Sequence, residues 1–326
     1  MRVVITGGAG FLGKLLATKL LERGSLTDTS GRVREITELV LVDIAAAQSE
    51  PWLSDKRVKQ VVGDVTDGNV LARAVTPNTG SIFHLAAVVS GQAEADFDIG
   101  MRVNVDSTRT LLELTRLLPA PPKFVFTSSI AVFGGALPAV LPDDQILTPQ
   151  GSYGAQKAMC ELLVSDMSRR GMIDGRSLRL PTVTVRPGKP NKAASSFASG
   201  IIREPLAGED FICPASPDAK MWCLSPPRTV GNIILGHEVT ASALPYTRSI
   251  SVPGITVSVR EMVESLRRVA GEATAARVSW QLDPVVDRLV SSWPQAFTAD
   301  RGKSLGMTID ASFDDIVRAH IDAMKR

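Results

Sequence analysis

Tyr153 and Lys157 stand four residues apart in a stretch whose pattern predicts a helix. That spacing puts both side chains on one face, with Cβ atoms roughly 5–6 Å apart. A phenol titrates at about pH 10 and is a poor base at neutral pH, but an ammonium beside it favours the phenolate. Moving that pKa by about three units corresponds to roughly 4 kcal/mol of differential stabilisation. Ser129 closes Phe124-Val125-Phe126-Thr127-Ser128-Ser129, a run that reads as a strand ending in two serines. A hydroxyl at that strand end could hold a reacting oxygen in line while Tyr153 exchanges its proton. Asn104, in the helix predicted before that strand, completes this candidate set.

The first residues offer a place for a dinucleotide. Val3-Val4-Ile5 reads as a strand, Thr6-Gly7-Gly8-Ala9-Gly10-Phe11-Leu12-Gly13 as a turn, and Leu15, Leu16, Leu20 and Leu21 as the apolar side of a helix. Glycine serves where a turn demands positive φ and where a pyrophosphate approaches bare backbone, and the turn delivers that phosphate to the positive end of the helix. The spacing, G-x-x-G-x-x-G, departs from the commoner G-x-G-x-x-G. Gly7, Gly10, Phe11, Leu12 and Gly13 are expected to hold the cofactor. Asp43 ends the second strand and could accept hydrogen bonds from the adenosine ribose. It lies thirty residues after Gly13, against about 20 in the usual pattern, and the polar stretch 25–37 accounts for the excess as a surface insertion. Asp28 is nearer the usual distance but falls inside that insertion. Ile44-Ala45-Ala46-Ala47 contains no base to neutralise a 2′-phosphate, which favours NAD over NADP.

The elements that must position these residues alternate. Further strands are predicted at 38–43, 58–62, 81–85, 123–127 and 178–180, with helices near 11–23, 67–75, 97–118 and 152–170 closed by glycine or proline. Strand and helix repeated in this way argue for an α/β fold, a doubly wound parallel sheet whose ligands sit at the carboxyl edge. After residue 186 prolines at 187, 190, 205, 214, 217, 226 and 227 interrupt a loop-rich stretch with short helical pieces. A strand near 249–252 returns to the sheet. Ser258 and Glu261 then form a capping box, and a last helix runs from about Ser312. The expected division is a cofactor domain over 1–186 and a smaller, interleaved substrate domain over most of 187–326.

Composition narrows the partners. The chain of 326 residues is 44% hydrophobic and carries 36 basic against 34 acidic residues. Without a run of like charge it has no support for nucleic-acid binding. Cys160, Cys213 and Cys223 lack metal-ligand spacing, and with three histidines no metal site is expected. The strand that follows Met1-Arg2 is too short for a signal peptide, and no stretch approaches the roughly 20 apolar residues of a membrane span. A soluble, cytoplasmic protein is the expectation.

Together the glycine turn, Ser129, Tyr153-x-x-x-Lys157 and Asn104 resemble the extended short-chain dehydrogenases/reductases over essentially the whole chain. The resemblance implies a Rossmann-type fold, NAD as hydride acceptor, and Tyr153 taking the proton from a substrate hydroxyl. It also implies that Lys157 binds the nicotinamide ribose and that Asn104 supports the lysine through a proton relay. Asp64 and Val65 after the third strand, Leu85, Ala86 and Ala87 after the fourth, and Pro181 after the sixth are the implied further cofactor contacts. His84 reads as a packed strand residue. A homodimer through the helices at 97–118 and 152–170 is the assembly the resemblance implies.

Much of that family acts on nucleotide sugars and carries an asparagine for the diphosphate where this chain has Thr182. The stretches Leu85 to Gly91, Ser128 to Gly134, Arg186 to Asn191 and Ser225 to Arg228 are similar instead to members that oxidise the 2-hydroxyl of a small, four-carbon sugar acid. A carboxylate substrate needs a cationic or multi-donor clamp. Arg186 and Arg228 suit by charge, although either could equally form a surface or interdomain salt bridge. Ser90, in the loop after the fourth strand, borders the expected nicotinamide site, and Ser129 and Tyr153 complete the substrate set. Two other readings are a nucleotide-sugar epimerase that retains its NAD and a non-catalytic NAD-sensing protein.

Overall fold

The computed structural model describes residues 1–188 and 194–325. Its sheet contains β1 (Arg2–Thr6), β2 (Glu38–Asp43), β3 (Val58–Val62), β4 (Thr79–His84), β5 (Lys123–Ser129), β6 (Asp174–Leu180) and β7 (Ser249–Ser251). The spatial order is β7-β6-β5-β4-β1-β2-β3, and every pairing is parallel. Strand order reverses between β1 and β4, so the crevice at their carboxyl ends is where a ligand fits in such a sheet.

The helices that matter for the site are α1 (Phe11–Arg23), α2 (Gly68–Ala74), α3 (Ser107–Thr115), α4 (Ser152–Arg169), α5 (Pro226–Glu238), α6 (Val259–Ala270) and α7 (Phe313–Met324). Strand residues alternate between two cores, as a period of two requires. Val3, Ile5, Leu39, Leu41, Phe83 and Val125 pack with Leu16 and Leu20 of α1 and Val230 and Ile233 of α5. Val4, Val40, Val42, Ile82, Phe124 and Phe126 pack on the opposite face with Leu71, Leu111, Cys160 and Val164. A third core, around Ile201, Met221, Met262, Leu266, Phe313 and Val317, lies in the C-terminal half.

Three expectations need correction. The sixth strand covers all of Asp174–Leu180, each residue buried, because its charged residues find ion-pair partners inside. Arg176 pairs with Asp174 at 2.8 Å, and Arg179 pairs with Glu161 at 2.7 Å. Pro226 and Pro227 open a thirteen-residue helix instead of breaking one. Proline loses nothing in the first turn, where its missing N–H has no helical partner, and the Ser225 side chain caps the Arg228 N–H. Finally, the predicted helix 97–118 is three pieces, Phe97–Gly100, a π-helical turn at Met101–Asp106, and α3, and a further short helix, Ser90–Ala95, precedes them. The polar stretch 25–37 folds as an antiparallel hairpin of Ser25–Thr27 with Val33–Glu35. The Ser258 hydroxyl oxygen accepts the Glu261 N–H at 3.1 Å, as the capping pattern predicts.

Candidate active site

The glycine turn follows β1 and packs against β2. The Gly7 N–H donates to the Val42 carbonyl at 2.8 Å, and Gly7 has φ of 71°, a conformation glycine adopts without strain. A Cβ at Gly13 would lie 2.1 Å from the Gly7 carbonyl oxygen, so this glycine lets α1 approach the turn. α1 starts at Gly10 with no side-chain cap and no acidic residue in its first turn. Its first N–H groups are therefore available to an anion. Asp43 is fixed beside them: its carboxylate accepts the Ala9 N–H at 3.0 Å and the Ile44 N–H at 2.8 Å.

A cleft of ≈ 620 Å³ runs from this turn along the carboxyl edge. Gly7, Gly10, Phe11, Leu12, Gly13, Asp43, Asp64, Val65, Leu85, Ala86 and Ala87 all line it. Asp28 sits in the hairpin turn, where its carboxylate accepts from Ser30 and Arg32. The bare glycine backbone, the uncapped helix end and the carboxylate beside them fit a dinucleotide with its diphosphate at α1.

Beyond Val183 and Ser195, which line both spaces, the cleft opens into a second cavity of ≈ 760 Å³. Ser90, Ser129, Tyr153 and Pro181 line this one. Leu289, Trp293 and Pro294 of the C-terminal half close its far side. Tyr153 is pushed up to about 12 by burial, while the Ser129 hydroxyl bonded to it acts in the opposite direction. Lys157 is 2% exposed and donates from Nζ to the Thr127 carbonyl at 2.9 Å. Its Nζ lies 4.6 Å from the centre of the Phe126 ring and 5.6 Å from that of Tyr153. Burial lowers it to about 8, with the neighbouring Cys160 and Glu161 opposing. The expected depression of the phenol is not seen: burial outweighs the Ser129 bond, and Lys157 Nζ lies 5.6 Å from the ring centre.

Asn104 and Lys157 stand behind the cleft wall, not on it. The Asn104 amide oxygen accepts the Val88 N–H at 2.9 Å, and its Nδ2 donates to Gln156 Oε1 at 2.7 Å. Its carbonyl accepts from Thr108 Oγ1 at 2.7 Å and from Cys160 Sγ at 3.2 Å. These bonds hold the π-helical turn, and so fix the loop 85–88 against α4. His84 is fully buried, its ring bonded to Thr6 and Thr108; it is a packed strand residue.

The two expected clamp arginines are not in the substrate cavity. Arg228 is exposed on the first turn of α5 and lines neither space. Arg186 lines the cofactor cleft. Lys189, Pro190 and Asn191 of the same stretch lie outside the described residues. Sequence reasoning missed Glu161, whose carboxylate accepts from Ser128 Oγ at 2.5 Å and from Arg179 through three contacts. An acidic residue four places after Lys157, on the face that α4 buries, was the available signal. No cluster of His, Cys, Asp or Glu among the described residues could hold a metal ion.

The sequence and the Rossmann-type fold are matched by known proteins. The chain belongs to the NAD dependent epimerase/dehydratase family, whose model matches residues 3–222. NAD is its cofactor. It is 53% identical to a D-erythronate dehydrogenase of Cupriavidus necator, the match covering 99% of this chain and 98% of that protein. A D-erythronate dehydrogenase of Haemophilus influenzae is 40% identical, with 99% of each chain covered. A crystal structure of a nucleoside-diphosphate-sugar epimerase from Agrobacterium tumefaciens superposes with a TM-score of 0.92 at 40% identity, covering 99% of this chain and 94% of that one.

Proposed function

We propose that this protein oxidises the 2-hydroxyl of D-erythronate to the 2-oxo acid, with NAD as the hydride acceptor. The observation that carries the reading is that Ser129, Tyr153 and Ser90 face one cavity that joins the dinucleotide cleft. Identity across the full length to two D-erythronate dehydrogenases supports the substrate. NAD, when bound, accepts the hydride from the carbon bearing the reacting oxygen. Ser129 hydrogen-bonds that oxygen and Tyr153 takes its proton. Lys157, held by the Thr127 carbonyl, stabilises the phenolate from below. NAD held in the cleft would add positive charge beside Lys157, which would help Tyr153 to serve as the phenolate despite its burial.

Among the described residues, those lining the substrate cavity include no arginine or lysine. In this reading Ser90 and backbone N–H groups hold the carboxylate, while Ser129 stays with the reacting oxygen. The boundary near residue 186 separates a cofactor half from a substrate half. Phe97, Met159 and Leu162 are exposed on the helices at 97–100 and 152–169, which suits a homodimer formed there. None of the described helices is long and apolar enough to cross a membrane, and a cytoplasmic location goes with the reading.

Net NADH formation from free NAD and D-erythronate is the test. The reading fails if no sugar acid reduces NAD while a nucleotide sugar is interconverted with NAD retained, an outcome the Agrobacterium tumefaciens epimerase makes worth measuring.

A further inference from the structure

We infer that Arg186, braced by Arg203, grips the diphosphate of the dinucleotide in the cleft that the glycine turn also lines, so that Arg186 is a cofactor residue and not the substrate clamp. The inference rests on the cleft being the NAD site and goes beyond it by naming a second, cationic wall from the C-terminal half.

Both arginines line the cleft that Gly7, Gly10 and Gly13 also line. They are tied together and to the fold by backbone. Arg203 Nη1 donates to the Arg186 carbonyl at 2.8 Å, and the Arg186 N–H donates to Ser199 Oγ at 3.0 Å. Arg203 is neutralised by Glu204 at 2.6 Å. The Arg186 guanidinium has no carboxylate partner among the described residues. Burial, and then the like charge of Arg203, hold Arg186 below the ordinary guanidinium range. With Arg203 paired to Glu204, Arg186 is the guanidinium left to meet an anion in the cleft. The anion that the glycine turn suits is a diphosphate, because α1 presents uncapped N–H groups there. Guanidinium pairs with phosphate oxygens through two parallel hydrogen bonds. The ligand is thereby held between the first βα unit and the segment that carries Arg186 and the helix Phe197–Leu206.

The test measures binding of ADP-ribose and of adenosine to the full chain by calorimetry, without substrate. Arg186→Met is expected to weaken ADP-ribose about tenfold or more, the loss typical of a charge-assisted contact. Adenosine, which has no phosphate, is expected to bind the variant as it binds the unaltered chain. Arg186→Lys keeps the charge and should recover part of the loss, which separates the contact from a folding defect. Unchanged ADP-ribose affinity in Arg186→Met overturns the inference. So does a selective rise in KM for the sugar acid at saturating NAD, which would return Arg186 to the substrate. If ADP-ribose binding depends on Arg186 while no sugar acid is oxidised, the inference stands and the proposed reaction falls.

Discussion

Lys157 donates to the carbonyl oxygen of Thr127 at 2.9 Å, two residues before Ser129 on the same strand. That single bond sets the depth of α4 against the end of β5, and with it the position of Tyr153 relative to Ser129. The lysine is thus both an electrostatic partner of the phenol and a strut between the two elements that carry the site. Lys157→Met is expected to remove both roles: kcat should collapse, and the variant should melt at lower temperature because the Thr127 carbonyl is left without its donor. A full-rate Lys157→Met enzyme would show that the strut is dispensable and the charge unnecessary.

Tyr153→Phe removes the proton acceptor and leaves the ring in place. Turnover should fall on the order of 10²–10⁴, the usual contribution of a general base, while ADP-ribose affinity stays near that of the parent. Steady-state kinetics on the folded variant decides this. Near-normal turnover would mean that the phenol is not the base.

Asp43 accepts two backbone N–H groups, from Ala9 and Ile44, and lines the cleft. Asp43→Ala should weaken NAD more than NADP, because it removes ribose hydrogen bonds and the repulsion of a 2′-phosphate together. The ratio of kcat/KM for the two cofactors is the measurement, and an unchanged ratio rejects the assignment.

Glu161 is 3% exposed and shared between Ser128 and Arg179. Glu161→Gln leaves Arg179 buried without its counter-charge, and a broken buried pair costs about 3–5 kcal/mol. Since Glu161 also raises Lys157, the variant's lysine should lose its proton at lower pH. The alkaline limb of the kcat profile should then move down. A Glu161→Leu, Arg179→Met double variant should recover stability without restoring the limb; recovery of both would make the pair purely structural.

Acid should weaken the fold through His237. Burial lowers this histidine to about 4 from an ordinary 6.5. Between these values the unfolded chain takes up a proton that the folded one does not, so stability is full above about pH 6.5 and lost as pH falls towards about 4. Glu238, lowered to about 2, adds a loss below its ordinary 4.5. Burial raises the Glu238 carboxyl, but bonds from His237 and Thr27 and the charge of Arg23 outweigh it. His237→Gln should flatten the melting curve against pH between 6.5 and 4. An unaltered slope would place the acid sensitivity elsewhere.

The sequence by itself determined whatever depends on local periodicity and on neighbours within one helical turn. Short continuous apolar runs, as strands buried on both faces carry, defined β1, β2 and β5; the glycine turn defined the start of α1; and four-residue spacing put Tyr153 and Lys157 on one face. Each follows from backbone geometry that repeats every two or 3.6 residues. Tertiary structure alone decided where the polar residues of β6 go, since Arg176 and Arg179 are tolerable in a strand only because Asp174 and Glu161 meet them there. It likewise decided that the helix after β4 would contain a π-helical turn, through bonds between Asn104 and residues as far away as Gln156. And it moved Arg186 to the cofactor cleft and Arg228 to the surface. Charge and residue type mark an arginine as an anion partner, but which anion it can reach depends on how the chain returns over the sheet, and no spacing within the sequence encodes that path.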